Sequence, residues 1–312
     1  MSTPSLYVEG PYRAVVVYSA QYNKYVYLFF DVHEIIDPQN VCGIAWADWI
    51  FKECRDAPTK EIDVFLETFL VEQRSHPLMP SFRTPIPHYG HGYLFGTTIE
   101  KLLKCFDTPR RCVVENIRLH AADTRFDSSY GLVTEFRKFE SRLPLFGDYA
   151  AKNLFTVFYQ DTGFLSNPGL ADQWIDLMDA MLLESNANYN WTLPAGEPTR
   201  VRLEELFKLE TVRLASSCAK NFIEFGLGKA TLGKLLTKMT NLMAHFMDIH
   251  LMINLFNGAV SHAVVYVGGW HARNYLDYLE IVGFQRLASV GEYDGEIQCL
   301  DMQPLTPLFT RF

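Results

Sequence analysis

The chain has 312 residues, of which 48% are hydrophobic, 21% charged and 14% aromatic, with a formal net charge of −8. Such a composition describes a folded protein able to bury a large core, and it excludes disorder, collagen and coiled coil. The acidic balance, with no run of Lys or Arg longer than the pair Arg110–Arg111, speaks against a nucleic-acid surface, because phosphate binding needs clustered positive charge.

The N-terminal MSTPSLYVEGPYR lacks the basic start and apolar stretch of a signal peptide, and no apolar segment reaches the ~20 residues needed to cross a bilayer. A protein that is not secreted and has no membrane span is therefore expected. The six cysteines, Cys42, Cys54, Cys105, Cys112, Cys218 and Cys299, show no CxxC pair, and buried free thiols are the expectation.

In chain order, Ala14–Ser19 and Lys24–Phe30 are rich in Val, Tyr and Phe and read as a strand pair, the second run stopping at Asp31-Val-His33. A helix is predicted over Gly43–Arg55, with Trp46, Trp49, Ile50 and Phe51 as its apolar stripe. The breaker Asp56-Ala-Pro-Thr then leads into a strand, Ile62–Leu66, which stops at Glu67. From Phe69 to Tyr93 the Pro- and His-rich text HPLMPSFRTPIPHYGHGY predicts an excursion or lid loop, in which His88 and His91 read as surface residues.

Helix is predicted again over Thr97–Phe106. Val113–Ala121 reads as a strand in which Val114, Asn116, Arg118 and His120 alternate with Val113, Glu115, Ile117 and Leu119, and it ends at Asp123-Thr-Arg125. Residues 130–258 read as a mostly helical portion, including Leu170–Glu184 and a long amphipathic helix, Thr231–Phe256, closed by Asn257-Gly258. His245 and His250 on that helix, five positions apart, read as packing residues. The end reverts to strand, helix and strand: Ala263–Val267, Gly268-Gly-Trp-His271, a helix Ala272–Val282, then Gln285–Ala288 and a last strand near Glu296–Met302. The pattern predicts an α/β (mixed α+β) fold, one domain over residues 1–312, with a central, mainly parallel sheet flanked by helices and a helical middle insertion.

Four predicted strands end in titratable residues: Asp31 and His33, Glu67, Asp123 and Arg125, and His271. In open α/β sheets that carboxyl edge is where ligands bind. Two imidazoles with one or two carboxylates suit a divalent metal, and the same set suits acid–base chemistry without one. No P-loop, GxGxxG fingerprint or GxSxG elbow is present.

These residues resemble a known group. Tyr27-Leu-Phe-Phe-Asp-Val-His33, Asp63-Val-Phe-Leu-Glu67 and Val265-Tyr-Val-Gly-Gly-Trp-His271 are similar to motifs of the Tiki/TraB, ChaN and erythromycin-esterase-like superfamily, most of all to members encoded by large DNA viruses. Ile117-Arg-Leu-His-Ala-Ala-Asp123-Thr-Arg125 and Met247-Asp248-Ile-His-Leu-Met-Ile-Asn254-Leu-Phe256 match two further motifs of that viral subgroup, and together the matches span residues 25–285. The resemblance implies a hydrolase-like site for a peptide or ester. In it His33 and His271 hold a metal (Mn²⁺ or Zn²⁺) or shuttle protons, Glu67 is ligand or base, and Asp31, Asp123 and Arg125 orient them. The chain departs from the pattern where Phe30 replaces glycine and Asn254 replaces arginine. These departures imply the alternative of a catalytically degenerate structural or interaction protein, for instance a virion component with protein partners or self-association, placed in host cytoplasm or virion.

Overall fold

In the computed structural model the described residues are 6–32, 43–67, 114–122, 191–226, 228–230, 232–291 and 299–311. Their elements fall into two compact units, one within residues 1–71, 84–122 and 258–312, the other within residues 72–83 and 123–257.

Among the described residues the first unit holds nine strands: β1 (Tyr7–Glu9), β2 (Arg13–Ser19), β3 (Lys24–Asp31), β4 (Ile44–Ala45), β5 (Ile62–Leu66), β6 (Ile117–Ala121), β7 (His262–Gly268), β8 (Gln285–Gly291) and β9 (Cys299–Asp301). Its helices are α1 (Trp46–Asp56) and α4 (Gly269–Ile281). Six strands form one mixed sheet in the order β6-β5-β7-β3-β2-β8. Pairings along β6-β5-β7-β3 are parallel, whereas β3-β2 and β2-β8 are antiparallel. The antiparallel part is the strand pair expected at the N-terminus, extended by β8. The last strand does not join this sheet, since β9 pairs with β1 in a separate three-stranded sheet of order β4-β1-β9.

Alternation along the strands sorts side chains onto two faces. On one face Ala14, Val16, Tyr27, Phe29, Val64, Val264 and Tyr266 join Trp46, Trp49 and Ile50 of α1 and Leu305, Leu308 and Phe309 in a single buried cluster. The predicted stripe of α1 is thus the face that is buried. Its Glu53 reaches the same region and accepts the backbone N–H of Leu308 at 2.6 Å, which satisfies a carboxylate that would be costly to bury alone. On the other face Val15, Val17, Val26, Leu28, Phe30, Phe65, Val265 and Val267 are equally buried, and α4 packs against β3 and β7. A parallel strand buried on both faces reads as a continuous apolar run, which is what β7, AVVYV between His262 and Gly268, presents.

The second unit holds α2 (Pro198–Gly226) and α3 (Leu232–Asn257). Pro198 stands at the first helical position, and Glu197 caps the start by accepting the backbone N–H of Arg200 at 2.8 Å. At the end of α3 the Asn257 side chain accepts the N–H and hydroxyl of Thr192, at 2.8 and 2.9 Å. The helices are joined by His245 of α3, whose Nε2 lies 3.1 Å from Thr211 Oγ1 and 3.2 Å from the Phe207 carbonyl on α2. Burial holds the His245 ring below its ordinary pKa, in keeping with a packing role.

Cys54 and Cys218 are buried free thiols as expected. Cys299 differs: it is disulfide-bonded, to a partner outside the described residues. The predicted 69–93 loop, the helices 97–106 and 170–184, and His88 and His91 also lie outside the described residues. Among the described residues no helix is long and apolar enough to cross a membrane.

Candidate functional site

Strands β3, β5 and β7 finish together, because Tyr25, Ile62 and His262 stand in one register and the three chains run parallel. The register continues to Asp31 opposite Gly268, and to Glu67, whose N–H reaches the Tyr266 carbonyl at 3.3 Å just past β5. The shared carboxyl edge therefore holds Asp31, Glu67 and Gly268 in a row. The chain turns there into α4, and His271 sits in the first turn of that helix.

Glu67 and His271 face each other with 3.6 Å between Oε1 and Nε2, and each side chain is only 8% exposed. That distance is too long for a direct hydrogen bond. Two donors ~2 Å from one tetrahedral ion stand roughly 3.3 Å apart, so the pair suits a shared ligand atom or ion. The second oxygen of Glu67 accepts the Gly268 N–H at 2.7 Å, which fixes the carboxylate on the strand end. The His271 ring lies near-parallel to Tyr275, 6.3 Å away, and meets the exposed Trp270 edge-to-face at 5.0 Å.

Asp31 is buried at the same edge, and its charge adds to burial in pushing the Tyr266 phenol well above its ordinary pKa. Tyr12 closes over the start of α4: a Cβ added to Gly269 would lie 2.1 Å from the Tyr12 hydroxyl. Tyr12 also meets Phe30 edge-to-face at 6.1 Å. Phe30 is fully buried, and the buried Arg13 guanidinium stacks over its ring at 4.9 Å.

The structure thus brings together Glu67 and His271, with Asp31 on the same edge. His33, Asp123 and Arg125 lie outside the described residues. Among the described residues no group of three or more His, Cys, Asp and Glu side chains is placed to hold a metal ion. In the stretch Met247–Phe256 Asp248 is fully buried, and Asn254 bonds back one turn along α3 to the His250 carbonyl at 2.9 Å and lies 3.1 Å from His250 Nε2.

A second group of polar side chains, quoted in the motifs but not singled out by strand-end reasoning, meets on the face of β5 and β6. Asp63 contacts both Arg118 and His120 there. The alternation of Arg118 and His120 along β6 was the available signal. Their common partner is fixed only by the pairing of β6 with β5.

No family model, no curated protein and no solved structure matches the chain.

Proposed function

We propose that the carboxyl edge of β3, β5 and β7 is a hydrolase-like site acting on a peptide or ester. The observation that carries this reading is the buried, facing pair Glu67 and His271, drawn from distant parts of the chain to the one sheet edge that in this architecture takes ligands. Two titratable groups held out of solvent at 3.6 Å are a costly arrangement for packing alone. They are suited to passing a proton, with Glu67 as base and His271 as the group that receives and returns it.

His33, Asp123 and Arg125 would complete this set, with Asp31 orienting it. With His33, the pair would also hold a divalent ion, Mn²⁺ or Zn²⁺, which supplies Lewis-acid polarisation of the scissile carbonyl when bound. A screen of activated esters and fluorogenic peptides, with and without these ions, tests the reading. Turnover should fall by ~10²–10⁴-fold in both Glu67→Gln and His271→Ala, the usual range for losing an acid–base group. Turnover that survives both substitutions would remove the site from the reaction.

A second reading is favoured by Phe30. A fully buried ring with Arg13 stacked on it occupies the position where the resembled family has glycine. On this reading the protein is a catalytically degenerate relative that serves as a structural or interaction component, such as a virion protein, through self-association or protein partners. Sedimentation equilibrium of the inactive protein would then show a defined oligomer.

A further inference from the structure

Asp63 lies on β5, beside the edge strand β6 of the six-stranded sheet, with its side chain 1% exposed. Arg118, its register partner on β6, donates Nε to Oδ1 at 2.8 Å and Nη2 to Oδ2 at 3.0 Å. This fork occupies both carboxylate oxygens and cancels the buried charge, so the ion pair is complete without a third member. A third member is nevertheless present, since His120 Nε2 lies 2.8 Å from Oδ1. The His120 ring is also stacked on Phe65 at 4.5 Å and 16°. One hydrogen bond and one stacking contact fix an imidazole in plane and direction.

Burial pushes the Asp63 carboxyl up, but the bonds from His120 and Arg118 overcome it and hold the group below its ordinary pKa. Ionised, Asp63 only accepts, so His120 donates to it through Nε2, and the Nε2–H tautomer of the ring carries an accepting lone pair on Nδ1. The Arg118 and His120 side chains are 48% and 37% exposed, so both are open to solvent. Among the described residues, the other charged groups whose fields reach the cluster include Lys24, tied to the Gly258 carbonyl at 2.8 Å, and Glu61.

We propose that Arg118 and His120, positioned by Asp63, bind an oxyanion that carries a proton, of which hydrogen phosphate, free or as a monoester, is the simplest case. The guanidinium takes the negative charge through its outward N–H groups, and His120 Nδ1 accepts the ligand hydroxyl. A cation is disfavoured by the guanidinium. A fully deprotonated anion such as sulfate meets the Nδ1 lone pair and gains only half of the contact. Asp63 is a positioning residue and touches no ligand.

The test is ¹⁵N NMR of the histidine rings of the full chain near neutral pH, with His120 assigned by its loss in His120→Gln. The free protein should show His120 as the Nε2–H tautomer. Inorganic phosphate and phosphoserine should shift its Nδ1 signal saturably, the tighter of the two identifying the source of the ligand, and sulfate should bind about tenfold more weakly, the equivalent of ~1.4 kcal/mol. Arg118→Gln should lose about tenfold in phosphate affinity while the tautomer stays the same, a result that a purely structural ion pair would not give. A proton on Nδ1 of the free ring, equal binding of sulfate and phosphate, or no saturable shift would overturn the proposal.

Discussion

Glu67 serves two partners with its two oxygens: Oε2 accepts the Gly268 N–H at 2.7 Å, while Oε1 faces His271 Nε2 across 3.6 Å. The first contact anchors the carboxylate to the strand that leads into α4. The second points it at the imidazole on that helix. Strand end and helix start thereby hold the carboxylate and the imidazole facing each other.

Removal of that anchor should be visible in stability. Glu67→Ala leaves the Gly268 N–H without its acceptor in a buried position and should cost about 1–3 kcal/mol. Glu67→Gln keeps an amide oxygen there and should cost less. Chemical denaturation of the two variants checks the order, and equal losses would show that the bond to Gly268 carries no weight.

The start of α4 should tolerate no side chain at position 269. A Cβ there would lie 2.1 Å from the Tyr12 hydroxyl and 3.0 Å from the ring carbon that bears it, and Tyr12 is itself buried against Phe30. Gly269→Ala should therefore destabilise by ~1–3 kcal/mol through overpacking. In a Tyr12→Ala background the added cost should nearly vanish. A double-mutant cycle by thermal unfolding measures the coupling.

Acid should weaken the fold through His262. Its Nδ1 lies 3.0 Å from the Tyr27 hydroxyl, and Tyr25 stacks on its ring at 5.2 Å. Burial, and then the charge of Lys60, lower its pKa from 6.5 to about 4. The unfolded chain then takes up this proton at higher pH than the folded one. The contribution is complete above the unfolded value of 6.5 and is lost as pH falls toward about 4. The stability advantage of wild type over His262→Gln should shrink by about 3 kcal/mol across that window, read from denaturant midpoints at a series of pH values.

Much of the frame was legible from local pattern. Ile62–Leu66 coincides with β5, and the pair of Val/Tyr/Phe runs became β2 and β3, because β-branched and aromatic residues over a few positions have no competing use. Glu67 was legible as the first polar residue after such a run. His271 was legible too, although it lies in the first turn of α4 and not before the helix, since α4 begins at Gly269. Strand β1 was not: three residues long, it exists through pairing between the two ends of the chain, as in Val8 with Leu300, and although β9 falls within the last strand expected near Glu296–Met302, its pairing with β1 was not legible. Helix α2 was legible only as part of the helical stretch 130–258, without bounds of its own, because its start depends on the cap formed by Glu197 before Pro198. The Asp63, Arg118 and His120 contacts likewise come from the β5-β6 register, which no local spacing encodes.

The central claim, that Glu67 and His271 are the described half of a functional centre, is tested most directly by metal titration of the purified full chain. Zn²⁺ or Mn²⁺ should bind at one equivalent per chain with micromolar affinity, about −8 kcal/mol, and both His271→Ala and Glu67→Gln should lose it while remaining folded. Binding that is absent in the wild type, or unchanged in both variants, would contradict the account.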